Sequence, residues 1–246
     1  MHSRSQVAES MLDWRHKQPP VTLDDVVFAS NPEANALVKE NPFAFLLAAS
    51  IDRLGKSFLI WNAPLQMMKA WGHLDPSRIA QMDIETLAAS PEIAGIPSTA
   101  RRTDLARTIV HLCQLIQESY GGDPTGFFVG NVRQIMSNLM RIYGVGPGLA
   151  RMMIIQRLLY FGLEPEVGDG LLPKQDVHIR RVFLRTGLVD QPTENAIRAA
   201  VVGFDNVDIA YIDQVAWNIG VNYCHKTNPD CASCPIDADC PKLGAA

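Results

Sequence analysis

The sequence predicts an all-α protein. Three observations carry that reading. Apolar residues recur at helical spacing through most of the chain: Leu105, Ile109, Leu112, Cys113 and Ile116 fall at i, i+4, i+7, i+8 and i+11. Alternation of the kind that builds a half-buried strand is nowhere convincing. Helix-starting pairs, a capping residue followed by proline, recur as Asn41-Pro42 and Asp75-Pro76.

Taken in order, residues 1–40 read as a polar helical segment and a loop, with Pro19-Pro20 ending the helix. Asn41 caps a helix running from Phe43 to Arg53, and Ser57–Trp71, apolar on more than one side, reads as a core helix. Asp75 and Asp83 begin short helices, and Ser98-Thr99 or Thr103 caps the long amphipathic one. Phe128, Val132, Ile135, Met136, Leu139 and Ile142 repeat the apolar pattern. Leu149–Phe161 is apolar nearly all round and is expected to be buried. Pro165 to Leu172 reads as a loop, and Val177–Thr186, Glu194–Phe204 and Val207–Tyr223 as helices.

At 47% apolar and 20% charged, with 246 residues, the chain has the makings of a globular protein with one large core or two modest ones. Residues 1–30 carry no apolar signal core, and the longest apolar run, Pro42 to Ile51, is about half a bilayer crossing, so neither secretion nor a membrane partner is expected. Net charge is −4, which argues against a diffuse polycation. From Arg133 to Arg185, however, eight basic residues stand against four acidic ones, a local excess that suits a polyanion.

Three features carry chemistry. The first is Ile142-Tyr143-Gly144-Val145-Gly146-Pro147-Gly148-Leu149-Ala150, where three glycines and a proline interrupt two helical patterns. Two antiparallel helices joined by a tight hairpin are expected there. The amides of Gly144, Gly146 and Gly148 would lie at the tip, where unpaired N–H groups and the helix dipole favour a phosphate. An ordinary helix-helix turn has the same pattern. The second is Asp176, 28 positions after Gly148, in Gln175-Asp176-Val177-His178-Ile179-Arg180-Arg181. It is either a helix N-cap, a catalytic carboxylate, or both. The third is Cys224, Cys231, Cys234 and Cys240, spaced C-x6-C-x2-C-x5-C. Four thiolates so close wrap a tetrahedral zinc or a cubane iron–sulfur cluster and fit a reducing cytoplasm better than a disulfide scaffold. Cys113, on an apolar helix face, reads as core.

Hairpin, Asp-x-His and cysteine loop, in this order, resemble the helix-hairpin-helix DNA glycosylase superfamily in its iron–sulfur, endonuclease III-like branch, over roughly residues 41–240. The resemblance implies two helical domains: a six-helix barrel with the hairpin at 44–163, and a discontinuous domain from 1–43 and 164–246 carrying a 4Fe–4S cluster on the four cysteines. Duplex DNA with a damaged or modified base would be the partner, lying across the cleft, and the protein would act as a monomer. Asp176 matches the family's catalytic aspartate and His178 its following histidine. Arg151 and Arg181 are candidate DNA contacts. Asp52 is a candidate second acid, with a solvent-facing helix end as the plainer reading. Trp61, Trp71, Met67 and Met68 either stack on an extruded base or pack in the core.

One departure matters. Bifunctional members carry a hairpin lysine that attacks the sugar, and Gly148 stands in that position. The resemblance therefore implies a monofunctional glycosylase using water. The alternatives are a glycosylase/lyase with a lysine from elsewhere, Lys174 being nearest in sequence to Asp176, and a non-catalytic DNA-binding protein. The adenine glycosylases' early-helix glutamate has no counterpart, its position corresponding to Ala49. Only six residues follow Cys240, which lowers the expectation of an adenine glycosylase's C-terminal recognition domain.

Overall fold

A computed structural model of the chain describes residues 4–94, 96, 101–166 and 170–244. Among these the chain is helical with no extended strand. Side-chain caps set most of the helix starts. Asn31 accepts the N–H groups of Glu33 and Ala34, and Asn41 those of Phe43 and Ala44, each just ahead of a proline that needs no acceptor. These caps open α2 (Pro32–Glu40) and α3 (Pro42–Ile51), after α1 (Arg4–Lys17). Residues 1–40 thus hold a second helix in place of the expected loop.

The expected helix over Ser57–Trp71 is two, α4 (Ser57–Ile60) and α5 (Ala63–Trp71). Pro64 is the reason, since its ring removes a backbone donor and is tolerated only in a first turn. Asp75 and Asp83 cap α6 (Pro76–Ile79) and α7 (Ile84–Ala89), followed by α8 (Pro91–Ala94). The long amphipathic helix, α9 (Arg102–Tyr120), begins after Arg101, which makes no side-chain cap. Thr103 lies inside it and does not cap it; Ser98-Thr99 lie outside the described residues. Phe128 belongs to a separate 3-10 turn, Pro124–Phe128, and α10 (Val132–Met140) starts in a reciprocal Asn131–Gln134 capping box. Then come α11 (Pro147–Tyr160), α12 (Val177–Arg185), α13 (Glu194–Ala200) and α14 (Asn206–Asn222).

The chain divides into two compact units, Met1–Val21 with Ile155–Ala246, and Thr22–Ile154. The divisions fall at 21/22 and 154/155, whereas 43/44 and 163/164 were expected. Residues 22–43 go with the middle unit because α2 packs on α3 and α5. The core of that unit includes an aromatic cluster: Trp61 stacks on Phe28 at 5.1 Å, and Phe45 meets both rings edge-on. The α9 face predicted from spacing is fully buried. Burial of Cys113 on that face pushes its thiol far up, as for an inert core residue.

In the terminal unit α12 and α1 both pack on α14. Val7, Met11, Ile179, Val182, Phe183, Ile212, Val215 and Ile219 form one apolar core. No helix among the described residues is long and apolar enough to cross a membrane.

Candidate functional site

The hairpin lies between α10 and α11 in the middle unit. Its turn is closed by the Val145 N–H donating to the Ile142 carbonyl at 3.0 Å, and α11 begins with Ala150 N–H to Gly146 O at 3.1 Å. The amides of Gly144, Gly146, Gly148 and Leu149 donate to no acceptor among the described residues. Only Gly144 needs its glycine for conformation, with φ +78°. A Cβ added there would also sit 1.7 Å from Arg53 Nη2, whereas at Gly146 and Gly148 it would meet nothing within 4 Å. Bare backbone beside open space lets a phosphate approach the amides closely.

Asp176 is half-buried and opens α12. Its Oδ1 accepts the N–H groups of His178 (2.8 Å) and Ile179 (2.9 Å), so it is an N-cap. No described residue hydrogen-bonds its Oδ2. The segment leading into it is held from α14: the Lys174 N–H donates to Asp213, and the Lys174 carbonyl accepts the Asp176 N–H at 3.0 Å.

The four cysteines line one pocket at the end of α14, with Val182, Arg185 and Ile219. Arg185, buried against them, donates to the carbonyls of His225 and Lys226 (the latter at 2.9 Å) and lies 3.5 Å from Cys224 Sγ. Burial pushes the Cys234 thiol up to about 11 and raises Cys240, and neighbouring cysteine charges add to both. Thiolates crowded this way are stable only with a cation among them, and four suit zinc or a cubane cluster. Among the described residues, no three His, Cys, Asp or Glu side chains are gathered as a metal-holding set. The donor chemistry and the shared pocket fit the group.

No protein-family model matches the chain, and no curated protein matches it in sequence. Solved structures do. An endonuclease III trapped as a covalent intermediate with DNA, in an estranged-adenine complex, is 18% identical with a TM-score of 0.66, covering 98% of this chain and 97% of that one. A non-covalent endonuclease III–DNA complex is 17% identical with a TM-score of 0.63, over 98% and 97%. A thermostable thymine-DNA glycosylase is 15% identical with a TM-score of 0.64, over 97% and 95%.

The chain has the endonuclease III fold.

Within that fold several candidate residues are committed elsewhere. Arg181 donates inward, from Nε to Cys224 O at 2.6 Å and from Nη2 to Gly220 O at 2.7 Å. It therefore ties α12 to the cysteine loop, and Arg180 is the exposed base on that helix. His178 packs on Gly220, where an added Cβ would approach its own to 2.7 Å, and its Nδ1 lies 3.2 Å from Gly220 O. It is a packing residue. Arg151 is 7% exposed. Asp52 is half-buried, and its Oδ1 accepts the Trp61 indole N–H at 2.9 Å. Trp61 and Met67 are core, which removes both from base stacking.

Two residues escaped the sequence reading. Arg53 donates through Nε to Gly144 O at 2.6 Å and through Nη2 to Thr108 at 3.2 Å, clamping the hairpin carbonyl. Asp213 is 8% exposed, on the face of α14 that also buries Ile209, Ala216 and Gly220. Its signal was available: 209, 213, 216 and 220 share one helical stripe, and a carboxylate does not belong in a buried one.

Proposed function

We propose that the protein is a monofunctional DNA glycosylase that extrudes a damaged or modified base from duplex DNA and hydrolyses its N-glycosidic bond with water. The DNA partner is supported by the fold shared with two endonuclease III–DNA complexes and a thymine-DNA glycosylase. The hairpin amides would hold a phosphate without reading sequence.

The single observation that carries the reaction is Asp176: one oxygen caps α12 while the other is free of any hydrogen bond from the described residues. A carboxylate fixed by its own helix is held in one orientation. Its free oxygen then stabilises the cationic sugar that forms as the C1′–N bond breaks. Water completes the reaction, its oxygen bonding C1′ and one proton leaving through Asp176 while the departing base regains a proton. Gly148 supplies no amine, so a covalent iminium has no donor in the hairpin.

Cys224, Cys231, Cys234 and Cys240 would hold a 4Fe–4S cluster, with zinc the alternative. Its chemistry here would be structural, cross-linking the loop to α12 and α14.

The test uses duplex oligonucleotides each carrying one lesion (deaminated pyrimidines, alkylated purines, oxidised purines). Conversion of one to an abasic site by the wild type, lost in Asp176→Asn while DNA binding persists, is the expected result. Binding without base release on every lesion would favour the non-catalytic reading. A borohydride-trapped adduct would overturn the monofunctional one.

A further inference from the structure

Helix α14 is apolar where it faces its neighbours: Ile209, Ile212, Val215, Ala216 and Ile219 are all buried. In the middle of that face stands Asp213, 8% exposed. A carboxylate there is unfavourable unless a partner or a function holds it. Its partner is the Lys174 backbone N–H. The same peptide's carbonyl accepts the N–H of Asp176, and Asp176 in turn accepts the first amides of α12. One chain of hydrogen bonds therefore runs from Asp213 through the Lys174 residue to the head of α12.

We propose that Asp213 is a positioning residue for the chemistry at Asp176, fixing from α14 the turn that sets the Asp176 carboxylate in place. The proposal rests on the glycosylase reading above, and it assigns Asp213 no contact with substrate.

Burial pushes the Asp213 carboxyl up to about 7; the Lys174 N–H and the lysine's charge oppose the rise, and Asp176 adds to it. Asp213 therefore keeps its proton through mildly acidic pH and adds no second full charge beside Asp176. Among the described residues, the charges acting on it come from the turn and from α11. Lys174 and Asp176 come from the turn. Tyr160 comes from α11, hydrogen-bonded to Gln214. Arg15 of α1 lies near Tyr160, over the Tyr211 ring.

The experiment compares Asp213→Leu, which keeps bulk and removes the acceptor, with Asp213→Asn, which keeps an acceptor and removes the titration. In single-turnover base release on the lesion the wild type processes, Asp213→Leu is expected to lose at least tenfold in rate with DNA affinity within twofold. Asp213→Asn is expected to recover to within about fivefold of wild type and to lack the wild-type inflection near pH 7. An unchanged rate in Asp213→Leu, or loss of rate and affinity in proportion, overturns the proposal.

A second readout does not depend on activity. Amide exchange of Lys174 and Asp176 should quicken at least tenfold in Asp213→Leu and stay protected in Asp213→Asn, with Ile219 unchanged in both. Equal protection across all three proteins overturns the proposal. Asp176→Asn is the separate control: if it keeps base release, the glycosylase reading fails, while amide exchange still decides whether Asp213 holds the turn.

Discussion

Arg53 and Gly144 are separated by 91 positions, yet the Arg53 Nε–H donates to the Gly144 carbonyl at 2.6 Å and its Nη2 occupies the space a Gly144 side chain would need. The hairpin is thus shaped by a side chain from the segment following α3. Gly144→Ala should destabilise the protein by about 1–3 kcal/mol, combining strain at φ +78° with displacement of the guanidinium. Thermal unfolding measures this. A midpoint equal to wild type would show that Arg53 is not a clamp.

Gly146→Asp should behave in the opposite way. An added Cβ there meets nothing within 4 Å, so folding should be nearly unaffected. The new carboxylate would repel a phosphate at the unpaired amides, and DNA affinity by fluorescence anisotropy should fall at least tenfold. Unchanged affinity would remove the hairpin from the contact surface.

Stability should depend on pH through Asp213. Its folded-state pKa, about 7, lies above the ordinary 3.8, so the folded chain holds a proton that the unfolded chain releases. The stabilisation is therefore complete below about pH 4 and lost as pH rises through 7, on the order of a few kcal/mol. The capping carboxylates work in the other sense. Asp75, held low by the Ser77 hydroxyl, and Asp83, held low by the Thr86 N–H, contribute above the ordinary carboxylate range and cease to as pH falls below it. Denaturant titrations of wild type and Asp213→Asn between pH 4 and 8 check this; the variant should lose the decline, and parallel curves would contradict it.

Much of the fold is legible in the sequence, and the reasons are local. Asn41-Pro42, Asp75-Pro76 and the spacing from Leu105 to Ile116 each determine an element within a few residues, as do the glycines of the hairpin. The helix α2 begins with the same signal, Asn31-Pro32, but sits in a polar stretch whose apolar positions are few. Pro64 marks the break between α4 and α5, yet the apolar run around it hides the break. Asp213, Arg181 and Arg53 were misread or missed for one reason: a charged side chain reads as a surface group until its neighbours from distant segments are known. Asp176 illustrates the converse. The sequence allows capping and chemistry together, and a carboxylate whose Oδ1 alone caps the helix has a second oxygen for the other role.

The cysteine loop makes a prediction independent of DNA. Purified protein should be brown, with broad visible absorption and about four irons per chain, and Cys234→Ser should lose most of that iron and the colour. A colourless protein with one zinc per chain would replace the cluster by zinc; a protein with neither metal would leave the four thiols without a role.

Asp176→Asn is the most direct test of the central claim. Asparagine caps helices about as well as aspartate, so unfolding midpoint and DNA affinity should stay close to wild type. The charge opposite the sugar cation is lost, and single-turnover base release should fall by about 10²–10³-fold. Base release at the wild-type rate in that variant would contradict the account.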